Sequence, residues 1–323
     1  MDLQQYHSDF VNYLESQNFV REPQNLYTPI DYILHLGGKR IRPILTLIAC
    51  DVFSGDYQKA LPAALAVETF HNFTLVHDDI MDDAPLRRGK QTVHEKWDIN
   101  TGILSGDAML ILAYQYFENY KPEVFQKLAK LFSKTALEVC DGQQLDVDFE
   151  TRNDVTIEEY LKMISLKTSV LVAAALQMGA IIAETDEIQS QHIYNFGLNL
   201  GIAFQLQDDY LDTFGDPETF GKQVGGDIIE NKKTYLYLKA LEVSNAQDAE
   251  KLKFFFKQKL KDNSIKILEV KRIFEQNNIP ELIQERIEYY TNKSFESLQH
   301  LKISEEAKAG LKLFGNNLMN RSV

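Results

Sequence analysis

Residues 77–89 read HDDIMDDAPLRRG: Asp78, Asp79, Asp82 and Asp83 crowd four carboxylates into six positions, and Arg87 and Arg88 follow within a few residues. On a helix, Asp78 and Asp82 project from one face, one turn apart. Two carboxylates so placed repel each other unless a cation lies between them. Oxygen ligands with room left for water suit Mg²⁺, above all where a phosphate completes the coordination. A single pair of this kind is better explained as a solvated acidic face that meets the two arginines. A second copy changes that balance. Residues 204–212 read FQLQDDYLD, with Asp208 and Asp212 again four apart and Gln205 on the same face. Two like-charged pairs in apolar helical surroundings are costly if empty, so shared divalent cations and a polyanionic ligand account for them economically.

The cations fit such a ligand. Lys39, Arg42, Arg87, Arg88, Lys167, Lys222 and Lys232 all lie in or beside the segments that matter, and guanidinium forks match phosphate oxygens bidentately. Taken singly, each reads as an ordinary surface cation. His71 stands seven residues before Asp78, on its stripe and about two turns away. Alone, it reads as a hydrogen-bonded core histidine.

These side chains need a scaffold, and its signals are helical. The chain has 323 residues, 44% hydrophobic and 25% charged, enough for a sizeable core and unlike a disordered or disulfide-stapled chain. A net charge of −13 disfavours nonspecific binding to nucleic acid or anionic lipid. Cys50 and Cys140 have no metal-ligand spacing and suit a reducing cytoplasm. The start shows no signal peptide, and the uncharged runs 168–183 and 188–207 read as buried helices, so neither export nor stable membrane insertion is expected.

Thr28-Pro29 reads as an N-cap followed by proline at the first helical position, with Gly37-Gly38 as the stop. Thr156 and Glu159 have capping-box spacing, and an apolar stripe then runs to about Ala183. Lys167 and Thr168 interrupt it, either snorkelling at its edge or facing a cavity. Residues 215–233 read as a loop between helices, either a lid or a surface excursion. Gly197 and Gly201 leave the helix of the second motif narrow, open to another backbone or a ligand. The expectation is one all-α domain over residues 1–323.

At this point a resemblance becomes specific. HDDIMD with RRG, FQLQDDYLD, GGKRIRP, the Lys167-Thr168 pair and GKQVGGDIIENKKT together resemble the motif set of the trans-isoprenyl diphosphate synthases, in family order from Gly37 to Thr234. TVHEKW, SGDAML and DGQQLD fall where that family has similar segments. The resemblance implies a single large helical bundle around a central cavity, active as a homodimer, in which two aspartate-rich motifs bind an allylic diphosphate through Mg²⁺. Asp78, Asp82 and Asp208 would be the main ligands, with Asp79 and Asp212 supporting them or binding through water. Arg87, Lys167, Lys222 and Lys232 would grip the allylic diphosphate, while Lys39, Arg42, His71 and Arg88 would hold isopentenyl diphosphate. Thr168 and Gln205 would place oxygens near the carbocation, and Phe204 would pack on the incoming substrate.

The family sets product length by bulk below the first motif. Phe73, five residues before Asp78, beside Thr74 resembles the geranylgeranyl (C20) synthases, with farnesyl (C15) synthases as the alternative. Phe73 as ordinary core is equally open, because helical geometry turns it well to one side of the Asp78 face. A terpene cyclase would not need GGKRIRP, and a non-catalytic subunit of a heteromeric prenyltransferase would have lost aspartates that both motifs here keep.

Overall fold

The structure is a computed structural model, and it describes residues 1–216, 224–258 and 262–319. Helices dominate, as expected. The described chain divides into two compact units: residues 1–133 with 174–193, and residues 134–173 with 194–323.

The first unit is built on α1 (Leu3–Glu15), α2 (Gln24–Leu34), α3 (Ile41–Ser54), α4 (Leu61–Met81), α5 (Val93–Lys96) and α6 (Ile99–Gln115). Helix α4 packs against α3 and α6. Its residues 63–70 are buried without interruption, the pattern of a helix covered on all sides. Unbroken burial gives way towards its C-terminal end, where Asp78 lies half-buried. The expected start of α2 moves: the helix begins at Gln24, and Pro29 lies inside it rather than at its first turn. Proline tolerates such a place when the helix is held by tertiary burial, and Pro29, Ile30, Ile33 and Leu34 are all buried.

After α4 comes the one pair of strands among the described residues, β1 (Leu86–Arg87) and β2 (Lys90–Gln91), with Arg87 opposite Lys90. The two turn residues, Arg88 and Gly89, have φ of 53° and 75°. Positive φ at both positions is the type I′ hairpin, whose twist matches that of its strands.

The second unit takes in most of α7 (Pro122–Thr151), α8 (Ile157–Ile164), the start of α9 (Val170–Ile182) and α10 (Glu187–Phe214) from Tyr194 onwards. It continues through α11 (Gly226–Ile229), α12 (Tyr235–Val243), α13 (Ala246–Phe255), α14 (Ser264–Gln276), α15 (Ile279–Gln299) and α16 (Glu305–Met319). Its core joins Tyr160, Ile164 and Leu206 to Leu236, Ile273, Phe274 and Ile283. The capping box is present: Glu159 N donates to Thr156 Oγ1 (3.2 Å) and Thr156 N to Glu159 Oε2 (2.9 Å). The helical stretch Ile157–Ile182 is long and apolar enough to cross a membrane, yet 67% of its most apolar window is buried in the fold, as expected of core helix.

Candidate active site

In the first unit, His71, Phe73, Thr74, Asp78 and Asp79 all lie on α4, and Asp82 is its C-cap with φ −86° and ψ −3°. The helical backbone therefore persists through Asp82, and the shared face of Asp78 and Asp82 stands. A helix C-terminus carries the negative end of the macrodipole, which disfavours carboxylates by about 0.3–1 kcal/mol each and favours a cation. The arrangement has a donor set of hard oxygens where a cation is electrostatically welcome.

Asp79, turned about 100° from Asp78 around the helix, is 1% exposed. Arg87, delivered by the hairpin, donates to it from Nε at 2.8 and 2.9 Å and from Nη2 at 2.6 Å. Nη2 of Arg87 also lies 4.0 Å from Asp78 Oδ2. Burial works against the Arg87 charge, and Asp79 outweighs it, holding the guanidinium above its ordinary range. Arg88, at the turn, donates to Gly37 O, which brings the RRG and GGKRIRP segments together. Lys39 is exposed in the connection before α3, and Arg42 is half-buried at the start of α3.

Arg42 Nη1 lies 3.1 Å from His71 Nε2. Burial, then Arg42, Arg88, Arg87 and Arg40, push the His71 pKa well below its ordinary value. His71 is therefore neutral, and since a guanidinium only donates, Nε2 accepts and the proton sits on Nδ1. Thr74 Oγ1 donates to His71 O at 2.8 Å, and the Phe73 ring packs against Phe70 and His77. Arg40, although inside GGKRIRP, is buried in an ion pair with Glu68 and also donates to Leu34 O. Asn72 Nδ2 completes this network by donating to Glu68 Oε1 at 3.0 Å.

In the second unit, Lys167 and Thr168 lie in a π-helical turn, Ser165–Ser169, between α8 and α9. Such widened turns are frequent at functional positions. The alternatives left open by sequence resolve into polar partners: Lys167 Nζ donates to Asp146 Oδ2 (2.6 Å), and Thr168 Oγ1 donates to Gln205 Oε1 (3.3 Å). Two glycines make room for this turn. A Cβ on Gly142 would run into the Lys167 backbone, and one on Gly201 would lie 2.8 Å from Ser169 Cα. The narrow place on α10 thus admits another backbone.

Asp208 and Asp212 lie half-buried in the last two turns of α10, again at a negative helix end, and Phe204 is half-buried one turn before Asp208. Asp209 between them is buried, accepting from Tyr160 Oη and from Gln205 Nε2 at 3.2 Å. Burial and then Asp227 raise its pKa well above the carboxylate range. Asp212 Oδ2 accepts from Asp227 N at 3.0 Å, which fixes the GGDIIEN segment. Asp227 is itself pushed up to about 7 by burial and then by Asp212, with Lys232 opposing at 3.8 Å. Burial works against Lys232, but Asp227 and Glu230 hold it above an ordinary lysine. Lys222 lies outside the described residues. Asp146, Asp209 and Asp227 escaped the sequence reading as partners, although each falls inside a segment quoted for the resemblance.

Each unit thus carries a carboxylate pair at a helix C-terminus: Arg87 lies beside Asp78 in the first, and in the second Asp212 accepts from the amide of Asp227, whose side chain faces Lys232. The polyprenyl synthetase family model matches residues 23–274, a span that carries both pairs and every cation above. The chain belongs to the polyprenyl synthetase family. It is 40% identical over 251 residues to the geranylfarnesyl diphosphate synthase of Natronomonas pharaonis, covering 72% of this chain and 74% of that one. A crystal structure of a geranylgeranyl pyrophosphate synthase matches with a TM-score of 0.96 and 55% identity over 99% of both chains. The Corynebacterium glutamicum geranylgeranyl pyrophosphate synthase, complexed with isoprenyl diphosphate and magnesium, matches with a TM-score of 0.87 and 25% identity over 99% of this chain and 100% of that one. As a polyprenyl synthetase, the chain is a prenyltransferase of isoprenoid synthesis with the all-α fold of its neighbours.

Proposed function

We propose that this polyprenyl synthetase condenses isopentenyl diphosphate with dimethylallyl, geranyl or farnesyl diphosphate, releasing diphosphate and ending at geranylgeranyl diphosphate (C20). The observation that carries the reaction is the pair of carboxylates at each of two negative helix ends, the first with the Arg87 guanidinium 4.0 Å from Asp78. The 55% identical geranylgeranyl synthase supports the C20 product.

An all-oxygen donor set at these helix ends fits Mg²⁺, which supplies charge that offsets the negative charge growing on the departing diphosphate. Asp78 and Asp82 in the first unit, and Asp208 in the second, would be its ligands, while Asp79, committed to Arg87, and Asp212, committed to the Asp227 amide, act as supports. Arg87, Lys167 and Lys232 grip the allylic diphosphate, joined by Lys222. The allylic C1–O bond breaks and the diphosphate leaves with the electron pair. The terminal carbon of isopentenyl diphosphate, oriented by Lys39, Arg42, His71 and Arg88, then bonds to C1. The proton lost from its C2 passes to the released diphosphate, restoring an alkene. Thr168 and Gln205 turn oxygens towards the cationic carbon, and Phe204 packs on the incoming substrate.

The chain works as one catalytic domain in a cytoplasmic homodimer on this reading. Ile99, Ile103, Leu104 and Ile111 leave an apolar stripe exposed along α6, available for a second copy. Light scattering at twice the chain mass is expected.

Mass analysis of the products from each allylic diphosphate with isopentenyl diphosphate and Mg²⁺ tests the reaction. A C20 endpoint is expected. A C15 or C25 endpoint overturns the product, and no coupling at all overturns the reaction in favour of a non-catalytic subunit.

A further inference from the structure

Three side chains of the first unit have no part in that reaction and yet converge. Asp83, His94 and Glu95 each offer a ligand atom, and these atoms lie within 4.8 Å of one another. His94 Nε2 is 3.9 Å from Glu95 Oε1. His94 is only 8% exposed, and neither of its ring nitrogens has a hydrogen-bond partner. A buried imidazole with both nitrogens unmatched is costly, because each must otherwise give or accept a hydrogen bond. A pocket of about 520 Å³ opens on these three residues and on Trp97 and Asp98. Asp98 is already committed, accepting from Thr101 N at 2.9 Å and Thr101 Oγ1 at 2.8 Å. The three convergent groups are therefore the ones left to bind.

We propose that Asp83, His94 and Glu95 form a site for a divalent transition ion of the Zn²⁺ class. One imidazole with two carboxylates suits Zn²⁺, Co²⁺ or Mn²⁺, whereas Mg²⁺ takes oxygen alone. Ligand bonds of about 2.0–2.2 Å need donor atoms about 3.4 Å apart in a tetrahedron. The exposed carboxylates of Asp83 and Glu95 close that difference by rotation, and water takes the fourth position.

The site has a structural consequence. Asp83 and His94 bracket the hairpin that carries Arg87 and Arg88. Thr92 already ties its base, donating from Oγ1 to Ala84 O (2.8 Å) and from N to Pro85 O (3.2 Å). The ion adds a second tie across the same two ends and steadies the placement of both arginines. This assignment stands apart from the condensation reaction.

The test is Zn²⁺ calorimetry on the full chain in excess Mg²⁺, with Co²⁺ as a visible-spectrum probe. One equivalent of Zn²⁺ is expected to bind despite Mg²⁺ and to persist in Asp78→Asn. Asp83→Asn and Glu95→Gln alter exposed groups and should fold, as circular dichroism would verify. Each should weaken Zn²⁺ at least tenfold and abolish the Co²⁺ bands. No Zn²⁺ binding in excess Mg²⁺, unchanged affinity in both variants, or loss of the equivalent in Asp78→Asn would each overturn the site.

Discussion

Asp79 and Arg87 stand eight residues apart in sequence and meet in a three-contact fork, with Nη2 at 2.6 Å from Oδ1 and Nε at 2.8–2.9 Å from both oxygens. The pair divides the labour within HDDIMDD. Asp79 anchors the hairpin to α4, which leaves Asp78 and Asp82 as the i,i+4 carboxylate pair of the motif.

That division predicts two distinct phenotypes. Asp78→Asn should lower kcat by about 10²-fold or more while leaving the unfolding midpoint in place, since it removes charge that opposes the developing diphosphate. Asp79→Asn should cost about 3 kcal/mol of stability, because it takes from the half-buried Arg87 its hydrogen-bonded counterion. Urea unfolding read beside steady-state kinetics separates them. Equal kinetic losses with unchanged stability in both variants would refute the division.

His71 predicts how stability responds to acid. Its folded pKa lies below the unfolded value of about 6.5, so the unfolded chain takes up a proton that the folded one refuses. The contribution is fully present above about pH 6.5 and is lost as pH falls below it towards the depressed folded pKa. His71→Gln should flatten the melting-temperature profile between about pH 7 and 5. A profile as steep as that of the wild type would show that other groups govern this window.

How much of this was legible beforehand follows from what spacing can encode. The i,i+4 spacing of Asp78 with Asp82 and of Asp208 with Asp212 reveals a shared face, and the helices deliver it. Spacing does not reveal which face looks inward, so the burial of Asp79 and Asp209 was invisible. Arg40 shows the same limit: GGKRIRP offers three similar cations, and only the fold sends the middle one to Glu68. Thr28-Pro29 misled because a cap signal is local, whereas the burial that carries α2 back to Gln24 is tertiary. The Arg88-Gly89 hairpin lacks the Asn-Gly or Asp-Gly pair that advertises such turns, and Arg88 bears a positive φ that its sequence gives no reason to expect.

Gly142 predicts a positional role for the π-helical turn. An added methyl would meet the Lys167 backbone, which cannot yield as a flexible side chain can. Gly142→Ala should displace the turn, separate Lys167 from Asp146 and raise KM for the allylic diphosphate by about tenfold, as lost phosphate contacts do. KM for isopentenyl diphosphate should move far less. Equal changes in both KM values would point to general loosening instead.

Phe73 carries the prediction on product length. Its ring is half-buried, with centroids 5.5 Å from Phe70 and 4.8 Å from His77. Phe70 is fully buried and braced by Phe132 at 5.0 Å, so Phe73 is mounted on a stack that cannot easily step aside. A rigid ring of this kind can act as a stop for a growing prenyl tail, whereas Thr74, whose hydroxyl is tied back to His71 O, adds little bulk. Phe73→Ala should therefore extend the product beyond C20 by at least one five-carbon unit, and Thr74→Ala should leave it nearly unchanged. Both variants lose some packing, so a modest fall in melting temperature accompanies either outcome and decides nothing. The product distribution decides. If Phe73→Ala melts earlier yet still ends at the wild-type product, Phe73 is core alone and the stop lies on another helix.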